Sequence, residues 1–101
     1  MDKKLYLTKE NEQKKLDLII SKKVDPTVII CLYLFQDENI IKKLIDYVDL
    51  RTIVRQQLLS NKMIDYILDI DPASLSVEEQ YVDLEWINNS QLLLKQQINK
   101  K

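Results

Sequence analysis

The sequence predicts an all-α fold, a compact bundle of five to seven short helices around a buried central helix at about residues 26–36. Three observations predict it. The 101 residues contain no Gly and only two Pro, so the positive-φ turns that hairpins recruit lack their usual residue. Helix-capping residues recur just ahead of apolar stripes of helical period. The eight apolar residues 28–35 follow Asp25-Pro26, an N-cap with Pro at the first helical position. A short α-solenoid-like stack of helix pairs is the alternative, because the segment beginning at Lys43 echoes the one beginning at Lys62; at 19 residues the offset is shorter than known repeat units.

Taken in order, Thr8 caps a first helix running to about Lys22, with Leu16, Ile19 and Ile20 at helical spacing. Its polar first half is expected to be loosely held, as is the whole of residues 1–12. Asp25 caps the central helix, in which Cys31 reads as a small buried hydrophobe, and no partner strand is evident for the run. Asp37 caps a third helix with the stripe Ile40, Ile41, Leu44, Ile45 and Val48. Asp49 caps a fourth with Leu50, Ile53, Val54 and Leu58. Ser60 or Asn61 caps a fifth with Met63, Ile67 and Ile70 inward. Ser76-Val77-Glu78-Glu79 is a capping box, which predicts a helix from Val77. Asn88-Asn89-Ser90 predicts a kink or break in it. Asn61, Asn88 and Asn89 are the residues left for left-handed helix ends.

One domain spanning residues 1–101 follows from the length. A single Cys forms no internal disulfide. The Lys3-Lys4 start leads into too few apolar residues for a signal peptide, and no stretch reaches the ~18–20 apolar residues of a membrane span. A cytoplasmic protein without a membrane span is expected.

The same reading removes several chemistries. There is no His, hence no imidazole base and no imidazole metal ligand. Asp69-Ile70-Asp71 is followed by Pro72 and Ala73, where a calcium loop needs further ligands and Gly. No catalytic residue, cofactor or metal site is expected, and the chain reads as no enzyme.

Charge is unevenly spread. Residues 1–23 hold seven Lys against four acids, a net +3, and residues 61–94 hold one Lys against seven acids, a net −6. A helix-turn-helix reading around Ser60-Asn61 fails on sign, because its second helix carries Asp65 and Asp69 where phosphates demand cations. Within the acidic stretch, the run from Glu78 to Ile87 holds the only Trp and one of five Tyr. Val77, Tyr81 and Leu84 share a stripe that suits the core, while Val82 and Trp86 lie on another face. Aromatic residues with an acidic rim suit a partner with a basic surface. Leu92 and Leu93 add apolar surface that a homodimer would cover.

The favoured function is a non-catalytic protein–protein interaction or regulatory module, with Tyr81, Val82, Glu85, Trp86, Leu92 and Leu93 as partner-binding residues. The alternative is a nucleic-acid-binding regulator using Lys14, Lys15, Lys22 and Lys23, although nucleic acid is the less expected partner. A small immunity-type helical bundle is a third reading, carried by length and helicity alone. Trp86 remains open between core and surface.

Overall fold

A computed structural model describes residues 5–99, and its described residues form an all-α bundle of 35 × 31 × 21 Å. In chain order the α-helices are α1 (Lys9–Ile20), α2 (Pro26–Leu32), α3 (Glu38–Leu44), α4 (Leu50–Gln56), α5 (Asn61–Leu68) and α6 (Leu84–Asn99). Short 3₁₀ turns at Pro72–Ser74 and Glu79–Tyr81 lie between α5 and α6. Helix α1 packs on α3, α2 on α4, and α6 on both α4 and α5. Helix α4 thus joins α2 to α6, and α6 joins α4 to α5.

The starts follow their caps. Thr8, Asp25, Asp37, Asp49 and Ser60 each accept a backbone N–H from the first turn of the helix they open, which satisfies donors that have no intrahelical partner. Most of each stripe is as expected, with Leu16, Ile19, Ile40, Ile41, Leu44, Val48, Leu50, Ile53, Val54, Met63 and Ile67 buried and Ile45, Leu58 and Ile70 half-buried, but Ile20, in the last turn of α1, is exposed.

The central run departs from expectation. Helix α2 stops at Leu32, and Tyr33–Leu34 turns extended to pair in parallel with β1 (Leu5–Tyr6), forming a two-residue ladder as β2. The run is not buried all round. Ile29, Ile30, Leu34 and Phe35 face the core, whereas Val28, Leu32 and Cys31 are exposed. The bundle is too small to cover every face of a seven-residue helix, so this helix keeps one dry side like its neighbours.

The end of α2 is dictated by a distant residue. Gln57 is 0% exposed. Its Nε2 donates to the carbonyls of Ile30 (2.8 Å) and Tyr33 (2.7 Å), and its Oε1 accepts from the Phe35 N–H at 2.8 Å. Gln57 is also the C-cap of α4. The α4 end is in turn held from α6. Gln91, 4% exposed, donates to the carbonyls of Val54 (2.7 Å) and Gln57 (2.8 Å) and accepts from the Leu59 N–H at 2.9 Å. Glu12, 1% exposed, plays the same part on α1, its Oε1 accepting from the N–H groups of Gln36 and Asp37. The start of α1, expected to be loose, is therefore tied down. The Leu7 N–H adds a bond to the Leu34 carbonyl at 3.0 Å.

Three further expectations are corrected. The capping box forms reciprocally, Ser76 N–H to Glu79 Oε1 at 3.0 Å and Glu79 N–H to Ser76 Oγ at 3.2 Å. It closes only a turn, because Val82 becomes extended and packs on the core. Helix α6 begins after Asp83 instead, whose carboxylate accepts from the Trp86 N–H at 2.8 Å, and runs unbroken through Asn88-Asn89-Ser90. Among the described residues the left-handed one is Lys22 (φ 62°), not an Asn. The bonds Lys22 N–H to Ile19 carbonyl and Lys23 N–H to Leu18 carbonyl are the pair that closes a helix around a left-handed residue, and no Gly is available for it.

Replacing Gln57 with Leu removes the acceptor of a buried N–H and the donor shared by two carbonyls. The expected loss is about 2–4 kcal/mol, read as a lower urea midpoint at unchanged denaturant slope.

Candidate partner-binding surface

The acidic, aromatic stretch is built on a pinned link. After α5, Asp71 caps the first 3₁₀ turn through the Ala73 N–H at 2.9 Å, and Gln80 Nε2 reaches back to the carbonyls of Pro72 (3.0 Å) and Leu75 (3.3 Å). Glu79 joins this link to the bundle. Its Oε2 accepts from the Leu50 N–H at 2.8 Å, at the start of α4, while Oε1 holds Ser76. Beside it Arg51 makes a two-pronged contact with Asp49, Nε to Oδ1 at 3.1 Å and an N–H₂ group to Oδ2 at 3.0 Å.

These contacts shift two carboxyls. The hydrogen bond from the Arg51 side chain holds Asp49 below its ordinary value, against a smaller opposing effect of burial. Burial pushes Glu79 up, but the hydrogen bonds from the Ser76 and Leu50 N–H groups and from the Ser76 side chain together outweigh it, and the carboxyl lies below its ordinary value.

The predicted partner residues separate into two kinds. Tyr81 is 76% exposed, and Val77 and Leu84 beside it are exposed as well, the reverse of the inward placement expected for that stripe. Val82 and Trp86 are half-buried and pack against the core. The Trp86 ring also carries the Arg55 guanidinium, 5.2 Å from its centroid, a cation–π contact. Trp86 is thus part core and part surface. Glu85 is exposed on the first turn of α6. Leu92 and Leu93, 56% and 60% exposed, lie further along α6, whose inward stripe is Ile87, Gln91 and Leu94. Tyr81, Val82, Glu85 and Trp86 fall together at the start of α6. Leu92 and Leu93 lie about two turns further along.

The lysines named for nucleic acid sit on and just after α1. Lys14, Lys22 and Lys23 are exposed, whereas the Lys15 ammonium lies 4.9 Å from the centre of the Tyr33 ring. A cleft of about 660 Å³ opens between the starts of α1 and α3, with Glu12 and Asp37 on its wall. Among the described residues no group of three or more His, Cys, Asp or Glu is arranged to hold a metal ion, and no helix is long and apolar enough to cross a membrane. Comparison with protein families, curated proteins and solved structures found no match to this chain.

The residues that sequence reasoning missed are Glu79 and Arg55. Glu79 reads as a local cap yet also anchors the link to α4, and Arg55, which carries no sequence signal, lies over the Trp86 ring. The one available signal was the position of Glu79 in the capping box.

The two depressed carboxyls fix the sign of the acid response. A carboxyl whose folded pKa lies below its unfolded value stabilises the fold above the unfolded value, and this stabilisation is lost as pH falls through the folded one. The urea midpoint is therefore expected to fall as pH drops below the ordinary carboxyl values of 3.8 and 4.5. In Glu79→Gln the neutral-pH midpoint is lower and the further fall on acidification is smaller.

Proposed function

We propose that this chain is a non-catalytic protein–protein interaction or regulatory module that binds a partner with a basic surface. The observation that carries the reading is the coincidence, at the start of α6, of the most exposed aromatic residue with acids on a pinned backbone. Tyr81 is flanked by Glu78, Asp83 and Glu85, all exposed, and by the exposed apolar Val77 and Leu84. Large aromatic residues supply most of the binding energy at interfaces, and an acidic rim speeds encounter with a cationic partner and rejects anionic ones. The bonds from Gln80 and Glu79 hold the segment in place, which lowers the ordering cost of binding.

In this reading Tyr81, Glu85 and the outer face of Trp86 touch the partner. Val82 supports them from the core side, and the module acts in the cytoplasm without a cofactor. The net −6 of residues 61–94 disfavours nucleic acid at this surface.

Capture from the native host with wild-type bait, compared with Tyr81→Ala and Glu85→Lys baits, tests the reading. Both substitutions fall on exposed side chains, so thermal stability is expected to change by less than about 0.5 kcal/mol. A basic protein retained by wild type, released by raised salt and lost from both variants supports the reading. Equal retention by all three baits contradicts it.

A further inference from the structure

The cleft between the starts of α1 and α3 has a feature that neither the packing of the helices nor the acidic docking surface explains. Three carboxylates line it, Glu12 from α1 and Asp37 and Glu38 from the start of α3, against one base, Lys9, a net −2. Buried Leu7 gives it an apolar side. At about 660 Å³ it has the size of a small-molecule site.

Each carboxylate has one oxygen engaged by the chain. Glu12 Oε1 accepts from the Gln36 and Asp37 N–H groups, Asp37 Oδ1 from the Asn39 N–H at 2.9 Å, and Glu38 Oε1 from the Ser60 hydroxyl at 2.5 Å. The second oxygen of each accepts from no group among the described residues. The one ion pair among those residues is Arg51 with Asp49, so Lys9 is paired with none of the three.

Glu12 makes this more than a cluster of surface acids. The residue is 1% exposed, and a carboxylate taken that far from water needs partners for its charge. Among the described residues no fully buried side-chain oxygen lacks a hydrogen bond. Glu12 Oε2 has none, so it keeps its small exposure where Glu12 lines the cleft. A nearly buried carboxylate therefore turns an uncommitted oxygen into a cleft that is also acidic on its α3 side.

This pattern selects the ligand. Acidic walls favour a cation, and among the described residues no three acids are arranged to hold a metal ion. A guanidinium pairs best with both oxygens of one carboxylate, whereas each carboxylate here offers one. An ammonium has three donors that take single oxygens from different groups. The net −2 and the apolar side at Leu7 match two ammoniums on a short aliphatic chain.

We infer that the cleft binds an aliphatic diamine, its ammoniums held by the free oxygens of Glu12, Asp37 and Glu38 and its methylenes lying along Leu7. The inference goes beyond the proposed partner surface, with which the cleft shares no residue.

Isothermal titration calorimetry of the full chain with putrescine at fixed ionic strength tests it. Saturable binding of one diamine per chain is expected. Two further titrants separate the sources of positive charge. Nα-acetyl-lysine amide presents the single ammonium of a protein side chain, and magnesium chloride presents the same charge as the diamine on one ion. Each is expected to bind at least about tenfold more weakly, the size of one lost charge-assisted hydrogen bond. Glu12→Gln keeps an oxygen for the two N–H groups and puts an NH₂ donor in place of the other. It is expected to weaken putrescine binding by roughly 30-fold, with an unchanged circular dichroism spectrum. Asp37→Asn with Glu38→Gln provides the same readout should the Glu12 change disturb the fold, because Asn also caps helices. Asp65→Asn with Asp69→Asn removes as much charge from exposed positions on and just after α5 and is expected to leave binding unchanged. A chain that takes up no putrescine into the millimolar range, equal binding of the lysine amide or magnesium, or putrescine binding that survives both cleft variants or falls equally with the α5 pair overturns the inference. None of these results depends on whether Tyr81 and Glu85 capture a partner.

Discussion

The fold depends on the need of buried backbone groups for partners at the ends of very short helices. A helix leaves four N–H and four C=O groups unsatisfied at its two ends, so in the seven-residue helices α2, α3 and α4 end groups predominate. Isolated helices of that length do not hold in water. Here the N-terminal ends are met locally by Thr, Asp and Ser caps. The ends of α2 and α4, and the junction before α3, are met by Gln57, Gln91 and Glu12, each reaching a segment more than twenty residues away. The bonds form a relay in which α6 holds the end of α4 through Gln91, and α4 holds the end of α2 through Gln57. Removing one buried partner is more damaging than the mean value of a hydrogen bond suggests, because the group left behind keeps its full desolvation penalty.

This relay connects the fold to the surface proposed for function. Helix α6 packs on α4 and α5, and Gln91 locks its register at mid-helix. Glu79 fixes the preceding link to the first residue of α4. The start of α6 and its solvent face are therefore presented on rigid supports, while the side chains there take little part in the core. That separation lets Tyr81 and Glu85 serve recognition at small expense to stability, whereas Trp86 serves both purposes.

Much of the fold was legible in the sequence. Five caps and the apolar stripes of α1, α3, α4 and α5 follow from local chemistry, which a single chain displays. What was hidden is nonlocal. An all-apolar run has no period to mark where helix gives way to strand, so Leu32 could not be read as the last residue of α2 before Gln57 was seen to claim the carbonyls of Ile30 and Tyr33. Nothing local marks Gln57 and Gln91 as buried, because composition cannot show that a distant helix end requires an amide. The box at Ser76 was identified correctly, but its Glu79 is shared with Leu50, and the turn it closes gives way to an extended Val82. At the surface, the acidic aromatic stretch was legible. The inversion that exposes Tyr81 and half-buries Trp86 was not, because an extended Val82 separates the 3₁₀ turn from α6 and breaks the helical period between them.

Amide hydrogen exchange of Phe35 and Leu59 tests the relay most directly. Both amides lie outside the α-helices and donate to buried side-chain oxygens of Gln57 and Gln91. They are expected to exchange only through global unfolding, with the protection of the Ile53 and Val54 amides in the core helix. Exchange at the rate of an exposed loop, while Ile53 and Val54 stay protected, would contradict the claim that these two glutamines hold the fold together.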